Sequence, residues 1–151
     1  MPLRNDSQPM LEMSRQMIEG ELPHPPVARL VGFRLVAIDP GRAVVRLEAT
    51  EEHANPMGTL HGGILCDIAD AAMGLAYAST LEAGESFATL ELKINYTRPF
   101  WTGRLEAAGE VVHGGRTVGL TQCDVTDERG ALIARATSTC LTLRDEQARG
   151  R

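Results

Sequence analysis

At 151 residues, 43% apolar and 23% charged, the chain has the size and composition of one globular domain with a proper core. A formal charge of −5 argues against nonspecific nucleic-acid binding, which wants a basic face. No early stretch pairs a basic start with an apolar run, and the longest uncharged apolar-leaning run, Ala71 to Leu81, is too short to span a bilayer, so neither a secretory signal nor a membrane partner is expected. Cys66, Cys123 and Cys140 are odd in number and widely spaced, which points away from a disulfide framework or structural zinc and towards a reducing, cytoplasmic setting.

In chain order, residues 1–26 read as an extension in which Leu11 to Ile18 forms a short amphipathic helix that Gly20 ends. The cluster Pro23-His24-Pro25-Pro26 breaks it, and His24 reads as a loop residue. Val27 to Ile38 suggests a helical turn followed by a strand, with Asp39-Pro40-Gly41 as the turn. Arg42 to Ala49 alternates, with Ala43, Val45, Leu47 and Ala49 on one face, as a half-buried strand requires. After a breaker-rich loop beginning Asn55-Pro56, apolar residues recur with helical period at Ile64, Leu65, Ile68, Ala69, Ala72, Met73, Ala76 and Tyr77. That pattern predicts a helix to about Leu81.

Beyond Glu82–Ser86 the period changes to two: Leu90, Leu92, Ile94 and Tyr96 form one face of a strand. Strands are also expected from Arg104 to Val112, Thr117 to Thr126 and Ala131 to Leu143, the first two joined by a turn at His113–Arg116. Connections this short make the later strands antiparallel. The expected fold class is α+β: a curved antiparallel sheet wrapped around one long helix, spanning residues 27–143, with 144–151 as a loose charged tail. The small residues Ala69, Ala71, Ala72, Gly74, Ala76 and Ala78 would let helix and sheet approach closely.

The chemistry-bearing stretch is Asn55-Pro-Met-Gly-Thr-Leu-His61-Gly62-Gly63, running into Asp67 and Asp70. It places backbone amides at a helix N-terminus, where N–H groups are unpaired and negative charge is favoured, with a carboxylate about two turns further on. Cys66 reads as a small buried helix residue rather than a nucleophile.

Asn55-x5-His61-Gly62-Gly63-x6-Asp70, followed by Thr89-x-Glu91-x-Lys93-x-Asn95-Tyr96-x-Arg98-Pro99, resembles the hotdog-fold acyl-CoA thioesterases. The nearest branch is the PaaI-type group of phenylacetic acid degradation, related to the 4-hydroxybenzoyl-CoA thioesterases. The resemblance runs from about Gly32 to Leu143 and implies a long helix wrapped by five or six antiparallel strands. It also implies homodimers that share active sites, commonly assembled into homotetramers, and thioester hydrolysis without metal or organic cofactor, coenzyme A entering as part of the substrate.

By that resemblance Asp70 is the general base or nucleophile, with Asp67 a rival carboxylate, and Gly62 gives the oxyanion donor through its N–H. Asn55 and His61 position substrate or water and order the loop, and Thr89 holds water near Asp70. Gly63, Arg98, Arg104 and Arg116 are candidates for binding coenzyme A, because guanidinium forks match phosphate oxygens. Met73, Tyr77, Phe87 and Trp101 are candidates to shape the acyl pocket. A non-catalytic acyl-CoA sensor, or a hotdog hydratase or dehydratase, is the alternative; Asp70 argues against the sensor.

Overall fold

The computed structural model describes residues 8–150. Helix α1 (Pro9–Glu19) ends at Gly20, whose φ of 80° suits a residue without a Cβ and turns its N–H back onto the Gln16 and Met17 carbonyls. Helix α2 (Pro26–Val31) begins on a proline, where the missing N–H has no helical partner to lose. The strands are β1 (Phe33–Asp39), β2 (Arg42–Ala49), β3 (Ser86–Tyr96), β4 (Gly103–Gly114), β5 (Val118–Asp127) and β6 (Leu132–Leu143), with helix α3 (Gly62–Ala78) between β2 and β3. No helix among the described residues is long and apolar enough to cross a membrane.

The six strands form one antiparallel sheet in the order β1-β2-β4-β5-β6-β3. The expected hotdog architecture is therefore present, with α3 held in the concave face. Ile68, Ala69, Ala72, Met73 and Ala76 of α3 all have 0% exposure and pack among inward residues of the sheet such as Val45, Leu47, Leu105 and Val125. Small residues on the helix are only half of the close approach. A Cβ built on Gly109 of β4 would lie 2.5 Å from the Ala72 carbonyl group, so the sheet supplies a glycine where the helix backbone meets it.

Strands β1 and β3 end the sheet on opposite sides without pairing to each other. Between them a seam remains open, and along it α3 shows the face carrying Asp67 and Asp70 (both exposed) with Ala71 and Leu75. Helix α1 packs on β1 and touches α3, narrowing that seam from one side. At its far end α3 is tied to the β1–β2 turn by Ser79, fully buried, whose hydroxyl donates to the Ala76 carbonyl at 2.7 Å and accepts from the Gly41 amide at 2.8 Å.

Candidate active site

The seam-facing residues of α3 recur at three- and four-residue steps, which brings Asp67, Asp70 and Ala71 onto one stripe. Thr89 of β3 donates its hydroxyl to Asp70 Oδ1 at 3.4 Å, a direct contact where the resemblance implied one through water. The two carboxylates sit at the edge of a cleft of about 300 Å³, otherwise walled mainly by apolar side chains including Met10, Met17, Phe33 and Phe87. That apolar wall strips water from Asp70 and raises its pKa above the ordinary aspartate value; the Thr89 hydrogen bond opposes the rise and the neighbouring Asp67 charge adds to it. Asp67 is raised too, by loss of water, with His61 pulling the other way. A carboxylate moved towards neutrality, with a hydroxyl beside it, is suited to take a proton from water.

The loop before α3 forms a second cleft of about 470 Å³, lined by Asn55, Gly62, Tyr96, Arg98 and Phe100 among others. Asn55 is spent inside the loop: its Nδ2 donates to Thr59 Oγ1 at 2.7 Å and its Oδ1 accepts from the Met57 amide at 2.9 Å. Both bonds tie the loop to itself within the single chain. His53, unremarked in the sequence, braces the same region, with Nδ1 accepting from the Thr50 amide at 3.0 Å and Nε2 2.7 Å from the Val31 carbonyl.

His61 caps α3 through its ring, Nδ1 accepting from the Gly63 amide at 2.8 Å. An accepting nitrogen carries no proton, so the remaining ring proton is on Nε2. The Gly62 carbonyl accepts from the Tyr96 hydroxyl at 3.1 Å, and that hydroxyl also lies 3.4 Å from Cys66 Sγ. The peptide linking Gly62 to Gly63 is therefore held at both ends, its N–H by His61 and its C=O by Tyr96. The Gly62 N–H has no partner among the described residues, which leaves it as the donor available to an oxygen gaining charge. The hydrogen bond with Cys66, followed by partial burial, pushes the Tyr96 pKa up to about 12, so the hydroxyl stays protonated as the donor this arrangement needs.

These contacts explain both glycines sterically. A Cβ on Gly62 would meet the Tyr96 hydroxyl at 2.8 Å, and one on Gly63 would meet His61 Nδ1 at 2.8 Å. They also place Cys66 differently from the sequence expectation: it is half-buried beside a tyrosine hydroxyl, not in the core.

Other expected site residues lie apart. Arg104 is held on the outer face of the sheet by Glu48 at 2.9 Å and borders neither cleft. Arg116 lines a third cleft, at the C-terminal end of α3, with Glu82 and Arg144. Of the proposed acyl-shaping residues only Phe87 lines the cleft beside Asp70. Met73 and Tyr77 are buried at 0% and 2% exposure against the sheet, and Trp101 is exposed in the loop after β3. The sequence reading missed Met10, Met17 and His24 as cleft walls. The seven-residue spacing of the methionines, two turns of one helix, was the available signal.

Gly62 and Asp70 are eight residues apart on one helix. At about 1.5 Å per residue that separates them by about 12 Å along the axis. A reacting carbonyl sits about 3 Å from both its oxyanion donor and the attacking atom, a span much shorter than the rise between these two positions of α3.

The thioesterase superfamily model matches residues 57–134. The chain is 32% identical to the 1,4-dihydroxy-2-naphthoyl-CoA hydrolase of Listeria monocytogenes over 103 residues, covering 68% of this chain and 84% of that one. It is 29% identical to human acyl-coenzyme A thioesterase 13 over 133 residues, covering 86% and 94%. Among solved structures, a phenylacetic acid degradation-related protein from Ralstonia eutropha superposes with a TM-score of 0.77 at 32% identity, covering 85% and 98% of the two chains.

Proposed function

The chain belongs to the thioesterase superfamily, as a PaaI-type hotdog thioesterase, and we propose that it hydrolyses acyl-CoA at sites built from two copies of itself. The observation that carries this reading is the division of the chemistry: Asp70 with Thr89 at an apolar cleft, and the free Gly62 amide about 12 Å away along α3. Each half suits one part of thioester hydrolysis, and two chains are needed to bring the halves together.

In the proposed step, ionised Asp70 takes a proton from a water that the Thr89 hydroxyl positions, and the hydroxide oxygen adds to the thioester carbon. Negative charge gathers on the carbonyl oxygen, which accepts from the Gly62 N–H of the other copy. One such donor is typically worth about 10²–10³ in turnover. The C–S bond then breaks, and the coenzyme A thiolate recovers the proton from Asp70 as the free acid leaves. Direct attack by Asp70 would use the same geometry through an anhydride that water opens. The step runs on a carboxylate, an amide and water, with coenzyme A present only as part of the substrate. Arg98, beside Gly62 in the loop cleft, is placed to meet its phosphates.

Strand β3 supports the pairing. It is eleven residues long and ends the sheet with one edge unpaired. An exposed edge of this length is a template for another strand. Antiparallel pairing with its own copy, in the register that sets Thr89 of one chain opposite Tyr96 of the other, joins the two strands about a two-fold axis. Since Thr89 touches Asp70 and Tyr96 touches Gly62, that register draws the complementary halves together. Exposed Val112, Val118 and Leu120 on the sheet support further assembly into a tetramer, and three free thiols suit a cytoplasmic setting.

The test mixes two inactive variants. Asp70→Asn removes the base; Gly62→Pro removes the donor N–H itself, at a first helical position that accommodates proline. Unfolded together and refolded, half of the dimers are mixed, and each holds one intact site of two, giving about a quarter of wild-type thiol release. No recovery, with both variants folded and dimeric, would show each site to be complete within one chain.

A further inference from the structure

We propose that helix α1 is the sizing wall of the acyl site, with Met10 and Met17 limiting the cleft beside Asp70 to an uncharged apolar acyl group of medium length or a single aromatic ring. This rests on Asp70 being the reacting carboxylate of a thioesterase, and it concerns what lies beyond that carboxylate. The cleft begins at Asp70 and Thr89 and runs between α3, α1 and β1, so an acyl group whose carbonyl is held near Asp70 has this space ahead of it. Its volume of about 300 Å³ is at the lower end for ligand pockets. Allowing about 30 Å³ for each methylene- or water-sized group, it holds about ten such groups. Long fatty chains would have to leave it.

The wall is built from one face of α1. Met10, Ser14 and Met17 fall at four- and three-residue steps, so they share a stripe. Ser14 is 1% exposed, and its hydroxyl donates to the Met10 carbonyl at 2.8 Å, which lets a polar residue sit buried at the centre of that stripe. Leu11, at 5% exposure, anchors the helix next to it. The two methionine side chains are only partly buried and border the cleft. Unbranched thioethers adapt to the group they meet, so this wall suits a ring as well as a short chain. Across the cleft, Gly74 makes room for Phe87: a Cβ there would lie 3.2 Å from the ring. Asp67 and Asp70, both at the seam, disfavour an acyl tail with a negative charge of its own.

The experiment is a thiol-release series from acetyl- to palmitoyl-CoA, with phenylacetyl-CoA and succinyl-CoA, on the wild type, Met17→Trp, and Met10→Ala combined with Met17→Ala. Wild type should prefer octanoyl- and phenylacetyl-CoA over palmitoyl- and succinyl-CoA. Met17→Trp fills the cleft, so kcat/KM for octanoyl-CoA should fall about tenfold or more against butyryl-CoA, at about fourfold for each methylene excluded. The double alanine variant should move the preference towards longer chains. A cooperative thermal melt like that of the wild type shows that a variant is folded. An unchanged chain-length ranking in both variants overturns the proposal. Binding of the non-hydrolysable thioether S-octyl-CoA, measured by calorimetry, reads the wall without turnover. Weaker binding by Met17→Trp supports the wall even if no thioester is hydrolysed, an outcome that would instead sink the thioesterase reading.

Discussion

The two faces of α3 divide the work of the molecule. Towards the sheet, Ile68, Ala72, Met73 and Ala76 have 0% exposure and are surrounded by inward strand residues. Towards the seam, Asp67 and Asp70 stand exposed beside an apolar cleft, and Asp70 has a pKa displaced from its ordinary value. One face contributes stability by burial, at roughly 1.5–3 kcal/mol for a large aliphatic side chain. The other keeps a carboxylate where its ionised form is disfavoured, which costs stability and readies the group for proton transfer. A single element thus shows what the fold gains and where the site gives some of it up.

Substitutions on each face should separate these roles. The largest effect is expected from Asp70→Asn, a loss of about 10²–10⁴ in kcat, equivalent to roughly 3–5.5 kcal/mol on the barrier. The folded carboxyl has a pKa above its unfolded value, so ionisation weakens folding as pH rises through that interval, and asparagine escapes the cost. The melting temperature at neutral pH should accordingly be no lower than that of the wild type, and a marked fall would contradict this division of faces. Next is Ile68→Ala, just over half a turn away on the buried side. It should lose about 2–5 kcal/mol of unfolding free energy in a denaturant titration, while the protein that remains folded turns over normally. A specific collapse of kcat without lost stability would break the comparison.

Smaller effects should appear on the acid side of the pH–rate profile. The Thr89 hydroxyl favours the charged form of Asp70, so Thr89→Ala should raise that pKa further and move the acidic limb of kcat/KM to higher pH. Asp67 disfavours the charged form, so Asp67→Asn should move the same limb to lower pH, and by less, since it is the weakest of the three influences on Asp70. Opposite displacements from two neighbours would identify the titrating group as Asp70; displacements of the same sign would not.

Much of this was legible in the sequence because it is periodic. The switch from period 3.6 at Ile64–Tyr77 to period two at Leu90–Tyr96 marks the change from helix to strand. Strand β3 begins at Ser86 as the period implies, while α3 ends at Ala78, three residues short of the expected Leu81, because Ser79 turns the chain onto the β1–β2 turn. Gly62 stands at the helix start, and Thr89, which the resemblance brought to Asp70 only through a water, touches that carboxylate directly. What periodicity lacks is strand order. The seam exists because β1 and β3 end opposite sides of the sheet, and nothing local in either strand says so. Hence Met73 and Tyr77 were expected near the acyl group yet face the core, while Met10 and Met17 of the extension border the cleft. Arg104 looked free for a phosphate because its partner, Glu48, is fifty-six residues away in sequence and adjacent only through the β2–β4 pairing.

Gly109, on the far side of α3 from the seam, has a bearing on chemistry that its position hides. Its bare Cα allows β4 to touch the Ala72 backbone, and that contact acts as a depth stop for the whole helix. Ala72 is two residues beyond Asp70, so the height at which the carboxylate stands in the seam is gauged from behind, by a residue that no substrate can reach. A methyl group added there would have to lift the helix, and displacements of about 1 Å at a reacting group can cost about 10²-fold in rate. Tuning of this enzyme therefore need not come from its cleft; the concave floor of the sheet holds an adjustment of its own.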